Sequence, residues 1–150
     1  EADAGDWDRA VSHYQKAVAL EPAHPRARYD LGYLHARRRQ WQAAETALSQ
    51  VVRDKYYGGP AWFWLGHVYA KTKRRNEAIA AYEAAVKMGQ RNLRLHWNLG
   101  ALYLASGRLY RAARQYRKAL RMLPAMPLVL FRRCAERVRA SVTRAWGWGC

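Results

Sequence analysis

The chain has 150 residues, of which 51% are hydrophobic, and this fraction supplies enough apolar side chain for a packed core. Its 27 basic and 11 acidic residues give a net charge of +16, which favours an anionic partner over a cationic one. No apolar run approaches the roughly 18 residues of a membrane-spanning helix, and Cys134 and Cys150 lack the number and spacing of a disulfide framework or a metal site.

A Leu-Gly pair recurs three times at one constant interval, and three further columns keep the same interval without insertion. Within each unit, apolar residues at positions i, i+3, i+4 and i+7 predict two amphipathic helices. The columns are Leu31-Gly32, Leu65-Gly66 and Leu99-Gly100; Ala10, Ala44, Ala78 and Ala112; Tyr14, Leu48, Tyr82 and Tyr116; and Ala17, Val51, Ala85 and Ala119.

In chain order, the pattern predicts helices over 7–19, 26–37, 41–54, 60–72, 76–88, 93–105, 109–121 and 128–145. Several residues predict where these helices begin or end. Proline is tolerated at a first helical position, asparagine caps an N-terminus, and glycine ends a helix in a left-handed conformation. The predicted first residues are Pro25 and Pro60, the predicted cap is Asn92, the predicted terminal glycines are Gly5 and Gly107, and Pro22 and Pro124 are predicted to stop their helices.

The small residues in these columns predict how the helices pack. Glycine in the first helix and alanine in the second remove bulk where paired helices approach, and we expect the tyrosine column to fill the space between neighbouring pairs.

This pattern resembles the tetratricopeptide repeat. The third unit matches seven of its signature positions, and the fourth unit also matches except for His96 in place of tryptophan. The second unit is degenerate, with Arg28, His35 and Val51 at signature positions. The matching residues of the third unit are Trp62, Leu65, Gly66, Tyr69, Ala78, Tyr82 and Ala85.

The resemblance implies an all-α fold, a right-handed α-solenoid of antiparallel helix pairs with a C-terminal capping helix. Residues 1–24 correspond to the second half of a truncated repeat, and repeats follow at 25–58, 59–92 and 93–126. Residues 127–145 are predicted to form the capping helix, and 146–150 a disordered tail. We therefore expect the chain to be part of a larger protein and to self-associate through its exposed N-terminal helix.

In this family the first helices line a concave groove. Its positions, transferred to this sequence, give five aromatic residues edged by cations. The candidate partner-binding residues are Tyr29, Tyr33, Arg37, Phe63, Trp64, His67, Lys71, Arg94, Trp97 and Asn98, with Arg26 at the edge.

The family also contains a clamp of Lys, Asn and Arg residues that grips the C-terminal carboxylate of chaperone tails. At the corresponding positions this sequence has Tyr29, Tyr33, Trp64, Arg94 and Asn98, and only Arg94 is compatible. This difference argues against chaperone-tail binding.

The sequence therefore predicts a non-catalytic scaffold that binds a protein or peptide with apolar anchors and acidic flanks. The five histidines show no catalytic or metal-binding arrangement, and we expect no cofactor and no metal. The alternative is an anion-binding module for RNA or an acidic polysaccharide, as in exopolysaccharide export, because residues 93–126 carry seven basic and no acidic side chains. The frequent use of Ala, Arg and Trp fits a bacterial source.

Overall fold

The computed structural model describes residues 4–22 and 24–123, and within them it contains seven helices and no strand. Helices α2 and α3, α4 and α5, and α6 and α7 form three packed pairs, each pair contacts the next, and α1 packs on α2. This arrangement confirms the predicted all-α solenoid. The helices are α1 (Ala4–Leu20), α2 (Pro25–Arg37), α3 (Trp41–Ser49), α4 (Gly58–Lys71), α5 (Arg75–Lys87), α6 (Leu93–Ala105) and α7 (Leu109–Leu120).

Two of the residues predicted to start or cap a helix do so in the structure. Pro25 is the first residue of α2, where its missing N–H removes no helical hydrogen bond. The Asn92 side chain caps α6 by accepting a hydrogen bond from the backbone N–H of Leu95 at 2.7 Å.

The end of α3 and the start of α4 differ from the prediction. Helix α3 ends at Ser49 instead of residue 54, and α4 begins at Gly58 instead of Pro60. The Asp54 carboxylate accepts hydrogen bonds from the backbone N–H groups of Tyr56 and Tyr57 at 2.8 and 2.7 Å. These bonds stabilise a turn in competition with helix. Pro60 lies in the first turn of α4. A backbone N–H at this position would have no intrahelical carbonyl to bond, so proline removes no helical hydrogen bond here.

The turn inside each helix pair contains one residue in the left-handed region, again at the interval of the repeat. These residues are Arg39, Lys73 and Gly107, with φ of 60°, 63° and 71°. Gly107 therefore ends α6 as predicted. The prediction for Gly5 was wrong, because Gly5 lies inside α1 and, within the described residues, no earlier helix precedes it for a turn to close.

The closest approach within each pair occurs at the glycine of the Leu-Gly motif. A Cβ atom built on Gly66 would lie 2.7 Å from Cδ1 of Tyr82, and one built on Gly100 would lie 2.9 Å from Cε1 of Tyr116. Gly32 faces Leu48 in the same way. The tyrosine rings thus pack against the glycine of their own pair. Tyr82 also fills the space between neighbouring pairs, as expected, because it lies in one buried cluster with Leu95 and Leu99 of α6 and its hydroxyl accepts a hydrogen bond from Asn98.

Two buried clusters join the pairs into one stack. The first contains residues from α2 to α5, including Leu48, Leu65 and Val68, and the second joins α5, α6 and α7 through Tyr82, Leu99 and other residues. Val51 of the degenerate second unit is 2% exposed, so this substitution is accommodated in the core.

Helix α1 is less enclosed than the later second helices. Val11 is buried, whereas Tyr14 is only partly buried and Leu20 is 84% exposed. The expected self-association through this helix stays a prediction. The predicted capping helix at 127–145, the tail at 146–150, and Cys134 and Cys150 lie outside the described residues.

Gly66→Ala tests the glycine–tyrosine contact. Alanine normally favours a helix over glycine, but here its methyl group would overlap the Tyr82 ring. We expect a loss of about 1–3 kcal/mol in the free energy of unfolding, measured by urea denaturation. Asn76→Ala, at an exposed position of α5, is the control and should change it by less than about 0.5 kcal/mol. An unchanged midpoint for Gly66→Ala would contradict the pairing.

Substitutions at two of the left-handed turn positions should change the stability of the chain in opposite directions. Lys73→Gly should stabilise the chain by about 0.5–1 kcal/mol, because glycine adopts positive φ without steric cost. Gly107→Ala should destabilise it by a similar amount, about 1 kcal/mol, since nothing crowds this position and only backbone strain is added. Thermal melting of both variants checks this, and the same direction of change in both would rule out the explanation.

Candidate functional site

Helices α2, α4 and α6, the first helices of the three pairs, line two adjoining clefts. The C-terminal cleft, between α4 and α6, has a volume of about 780 Å³, and the N-terminal cleft, between α2 and α4, about 600 Å³. Three residues, His67, Lys71 and Arg94, line both clefts. We call the two clefts together the groove and these three residues the junction.

Aromatic rings in edge-to-face contact build the wall of the N-terminal cleft. The Trp64 ring centroid lies 4.9 Å from that of Tyr33 and 5.6 Å from that of Phe63. The His67 ring lies 5.5 Å from Trp64 and 6.3 Å from Trp41 of α3. Such contacts add stability beyond the area that they bury, so this wall is a firm apolar surface.

Trp97 is the most open aromatic residue of the groove. Its side chain is 53% exposed in the C-terminal cleft, and its ring is held edge-on by Tyr116 at 5.1 Å. An exposed tryptophan held in one position loses little further freedom when a ligand covers it.

Beside Trp97, the Asn98 amide donates a hydrogen bond to the hydroxyl of Tyr82 at 3.2 Å. Burial raises the pKa of Tyr82 to about 12, although the hydrogen bond from Asn98 lowers it. Because the Tyr82 ring packs on Gly66, this bond links the floor of the groove to the contact inside the α4–α5 pair.

Positive charge surrounds His67. Lys71 and Arg94 are exposed, and Arg37 and Arg39 line the N-terminal cleft. Burial of the ring lowers the pKa of His67 below its usual value, and the charges of Lys71 and Arg94 lower it further. The imidazole is therefore mostly neutral at pH 7 while the field around it is positive.

The groove combines apolar surface with positive charge. Among the described residues that line the two clefts, none is acidic. The part of the chain that the structure describes also lacks any group of three or more His, Cys, Asp or Glu side chains that could hold a metal ion. Such a surface binds an apolar side chain by burial and an anionic group by electrostatic attraction.

The structure brings most of the predicted site residues together but not all of them. Tyr29 packs behind the groove, against Tyr57 at 5.6 Å and against the first core cluster. Tyr33 supports Trp64, and its hydroxyl accepts a hydrogen bond from Arg37 at 3.3 Å. The predicted residues that line the groove are Arg37, Phe63, Trp64, His67, Lys71, Arg94, Trp97 and Asn98.

Trp41 and Arg39 line the N-terminal cleft but were not predicted, because the resemblance assigned groove positions to first helices alone. A signal for Trp41 was present in the sequence, since Trp7 precedes it by one repeat interval. Both tryptophans stand near the start of a second helix, and each contacts a groove residue of a first helix. Trp7 lies under the guanidinium of Arg37 at 5.7 Å, and Trp41 contacts His67.

Comparison with known proteins identifies the repeat. Residues 1–56 and residues 65–127 each match a sequence family described as Tetratricopeptide repeat. Anaphase-promoting complex subunit 3 of Schizosaccharomyces pombe is 25% identical over 115 residues, which are 77% of this chain and 16% of that protein. Superkiller complex protein 3 of Homo sapiens is 26% identical over 122 residues, 80% of this chain and 8% of its own length. The chain thus spans a small part of these relatives.

A solved structure of MamA from Desulfovibrio magneticus RS-1, residues 41 to the end, has a similar fold. It superposes with a TM-score of 0.69 at 26% identity, and the match covers 79% of this chain and 67% of that chain. Regarding membranes, no helix within the described residues has the length and apolar character needed to cross one.

The environment of His67 gives a prediction about its titration. Lys71→Gln should raise the pKa of His67, because it removes a nearby positive charge and leaves the ring burial in place. NMR titration of the histidine ring resonances between about pH 5 and 8, a range around the usual histidine pKa, measures this value. Lys87→Gln, at the exposed end of α5, is the matched control. Equal His67 curves in wild type and Lys71→Gln would contradict the described geometry.

Proposed function

The chain belongs to the tetratricopeptide repeat family, and we propose from this that its groove binds an extended peptide segment of a partner protein. Proteins of this family generally mediate protein–protein interactions and scaffolding. The proposed ligand has apolar anchor residues and acidic flanks, and the proposed role is non-catalytic.

The exposure of Trp97 is the single observation that carries this proposal. An exposed apolar patch beside a cleft marks a binding surface, and α6 presents Trp97, Leu93 and Leu104 to solvent with exposed fractions of 53%, 37% and 52%. Trp97 and Leu93 line the C-terminal cleft, beside Arg94. Tryptophan and arginine carry much of the free energy of protein–peptide binding, because their burial releases much water for little loss of rotamer freedom.

The charge of the groove supports the acidic flanks of the proposed ligand. Lys71 and Arg94 are exposed on the groove, and within residues 4–22 and 24–123 neither forms an ion pair with an acidic side chain of the protein itself. A peptide carboxylate near them would gain electrostatic attraction without first displacing an internal partner.

A second candidate function rests on the outer face of α7. Arg111, Arg114, Arg117 and Arg121 are exposed there, Lys118 is partly buried, and α7 contains no acidic residue. This face fits a polyanion such as RNA or an acidic polysaccharide. We favour the peptide because exposed charges on a helix are sufficiently explained by solubility. An exposed tryptophan such as Trp97 does not serve solubility.

Peptides from a random 12-residue display library, selected on the wild-type chain, distinguish the two functions. Trp97→Ala should lower the affinity for the selected peptides by at least about tenfold, as expected for an aromatic residue central to an interface. Trp64→Ala should have the same effect, with a thermal melt to confirm that the variant is folded. Arg114→Glu with Arg121→Glu, on the outer face, should change the affinity by less than about twofold.

Polyuridylate RNA and alginate are the matched polyanion probes. A polyanion function predicts that one of these probes binds tightly, that its affinity falls by orders of magnitude between about 50 and 300 mM salt, and that binding is lost in the Arg114→Glu, Arg121→Glu variant. If these results are found and the tryptophan variants bind the probe as wild type does, the peptide function is overturned. Peptide affinity in contrast should fall only a few-fold over that range, because apolar contacts are not screened.

A further inference from the structure

The junction of His67, Lys71 and Arg94 lies between the C-terminal cleft, whose lining is mainly apolar, and the N-terminal cleft, whose lining combines aromatic rings with Arg37 and Arg39. We infer that the groove recognises a linear motif in which one internal acidic side chain lies between two apolar side chains. The carboxylate would sit at the junction, one apolar side chain would enter the C-terminal cleft beside Trp97, and the other would enter the N-terminal cleft beside Trp41 and Trp64. This inference rests on the proposed function and adds that one acidic residue of the ligand lies between its apolar anchors.

The positive charge of the junction lies where the two clefts meet. Lys71 is near the end of α4 and Arg94 is near the start of α6, and both line both clefts. A peptide that crosses from one cleft to the other must therefore pass these two cations. A carboxylate at the crossing point is attracted by both, whereas an acidic residue further along the C-terminal cleft moves away from both and meets no other basic side chain among the described residues that line it. The N-terminal cleft also carries Arg37 and Arg39, but only the junction is reached from both clefts.

A peptide that follows the groove continues on both sides of the carboxylate. Apolar wall continues in both directions, with Leu93 and Trp97 on one side and Phe63, Trp64 and Trp41 on the other. A C-terminal carboxylate at the junction would leave one of these clefts empty. An internal Glu or Asp allows both clefts to be filled, so the geometry favours a side-chain carboxylate.

His67 gives this site a pH dependence. Its ring contacts Trp64 and Trp41, and the charged groups that face it are Lys71 on its own helix and Arg94 on α6, with Arg37 and Arg39 on the N-terminal cleft. A bound carboxylate would offset these charges and favour the protonated imidazole. Binding would therefore take up a proton, and affinity should rise as the pH falls from about 7.5 to 5.5, where glutamate, with a usual pKa of about 4.3, stays ionised.

The test uses peptides that are acetylated and amidated, so that they carry no terminal charge. Each peptide has two leucines around a central Glu, with one, two or three serines on either side, which separates the leucines by about 13 to 26 Å when extended. Matched peptides carry Gln in place of Glu. The readout is the dissociation constant from NMR shifts of the indole N–H groups of the tryptophans, a method suited to weak binding.

At the best spacing, the Glu peptide should bind about tenfold more tightly than the Gln peptide, the size of one favourable charge contact. In the Lys71→Gln, Arg94→Gln double variant this ratio should fall to about one, whereas Arg114→Gln with Arg121→Gln should leave it unchanged. His67→Gln should remove the extra gain that the Glu peptide shows over the Gln peptide on acidification.

Three outcomes would overturn the inference. The first is equal binding of the Glu and Gln peptides, and the second is a ratio that survives the loss of both cations. The third is a tighter complex with a peptide that has a single leucine and a free C-terminal carboxylate. In each of these cases the indole shifts would still report peptide in the groove, and the proposed function would stand. If no designed peptide shifts the indole signals of Trp64 and Trp97, the inference fails, and the proposed function fails with it only if the peptides selected from the display library also leave these signals unchanged.

Discussion

The close approach of paired helices at a glycine is the constraint on which the rest of this structure depends. At Gly66 and Gly100 the facing side chain is a tyrosine ring, at a distance that leaves no room for a Cβ atom. Because the rings fill this space, each pair is held at a fixed separation, and the opposite face of the first helix is directed away from its partner. That opposite face carries Trp64, whereas Trp97 lies at the edge of the paired contact, where its ring meets the ring of Tyr116.

Tyr82 connects the packing of a helix pair with the surface that binds. Its ring lies on Gly66 and contacts Phe63, with ring centroids 5.9 Å apart, and its hydroxyl accepts a hydrogen bond from Asn98 of the next pair. A change in the α4–α5 separation would therefore move the floor of the C-terminal cleft. The core and the candidate site share residues, so a substitution in one also affects the other.

Charge is distributed differently on the two faces of the stack. Acidic side chains that form ion pairs do so away from the groove, as in the contacts of Glu45 and Glu77 with Arg74 and of Asp8 with Arg38. The clefts themselves have basic and aromatic linings. Ion pairs at the surface contribute little to stability. The main consequence of placing the acidic side chains away from the groove is that the electrostatic field in the groove favours an anionic ligand.

The sequence by itself determined the repeat, the helix pairs and most helix ends. Equal repeat intervals, a capping asparagine and a left-handed glycine act through local backbone chemistry, which needs no knowledge of distant neighbours. The sequence also identified eight residues that line the groove, because its repeat resembles the tetratricopeptide repeat. Only the tertiary structure decided that Tyr29 is covered by Tyr57, that Trp41 joins the wall, and that His67, Lys71 and Arg94 lie between two clefts. The reason is physical: periodicity fixes the face of the helix on which a side chain lies, whereas its burial depends on how closely the next helix approaches.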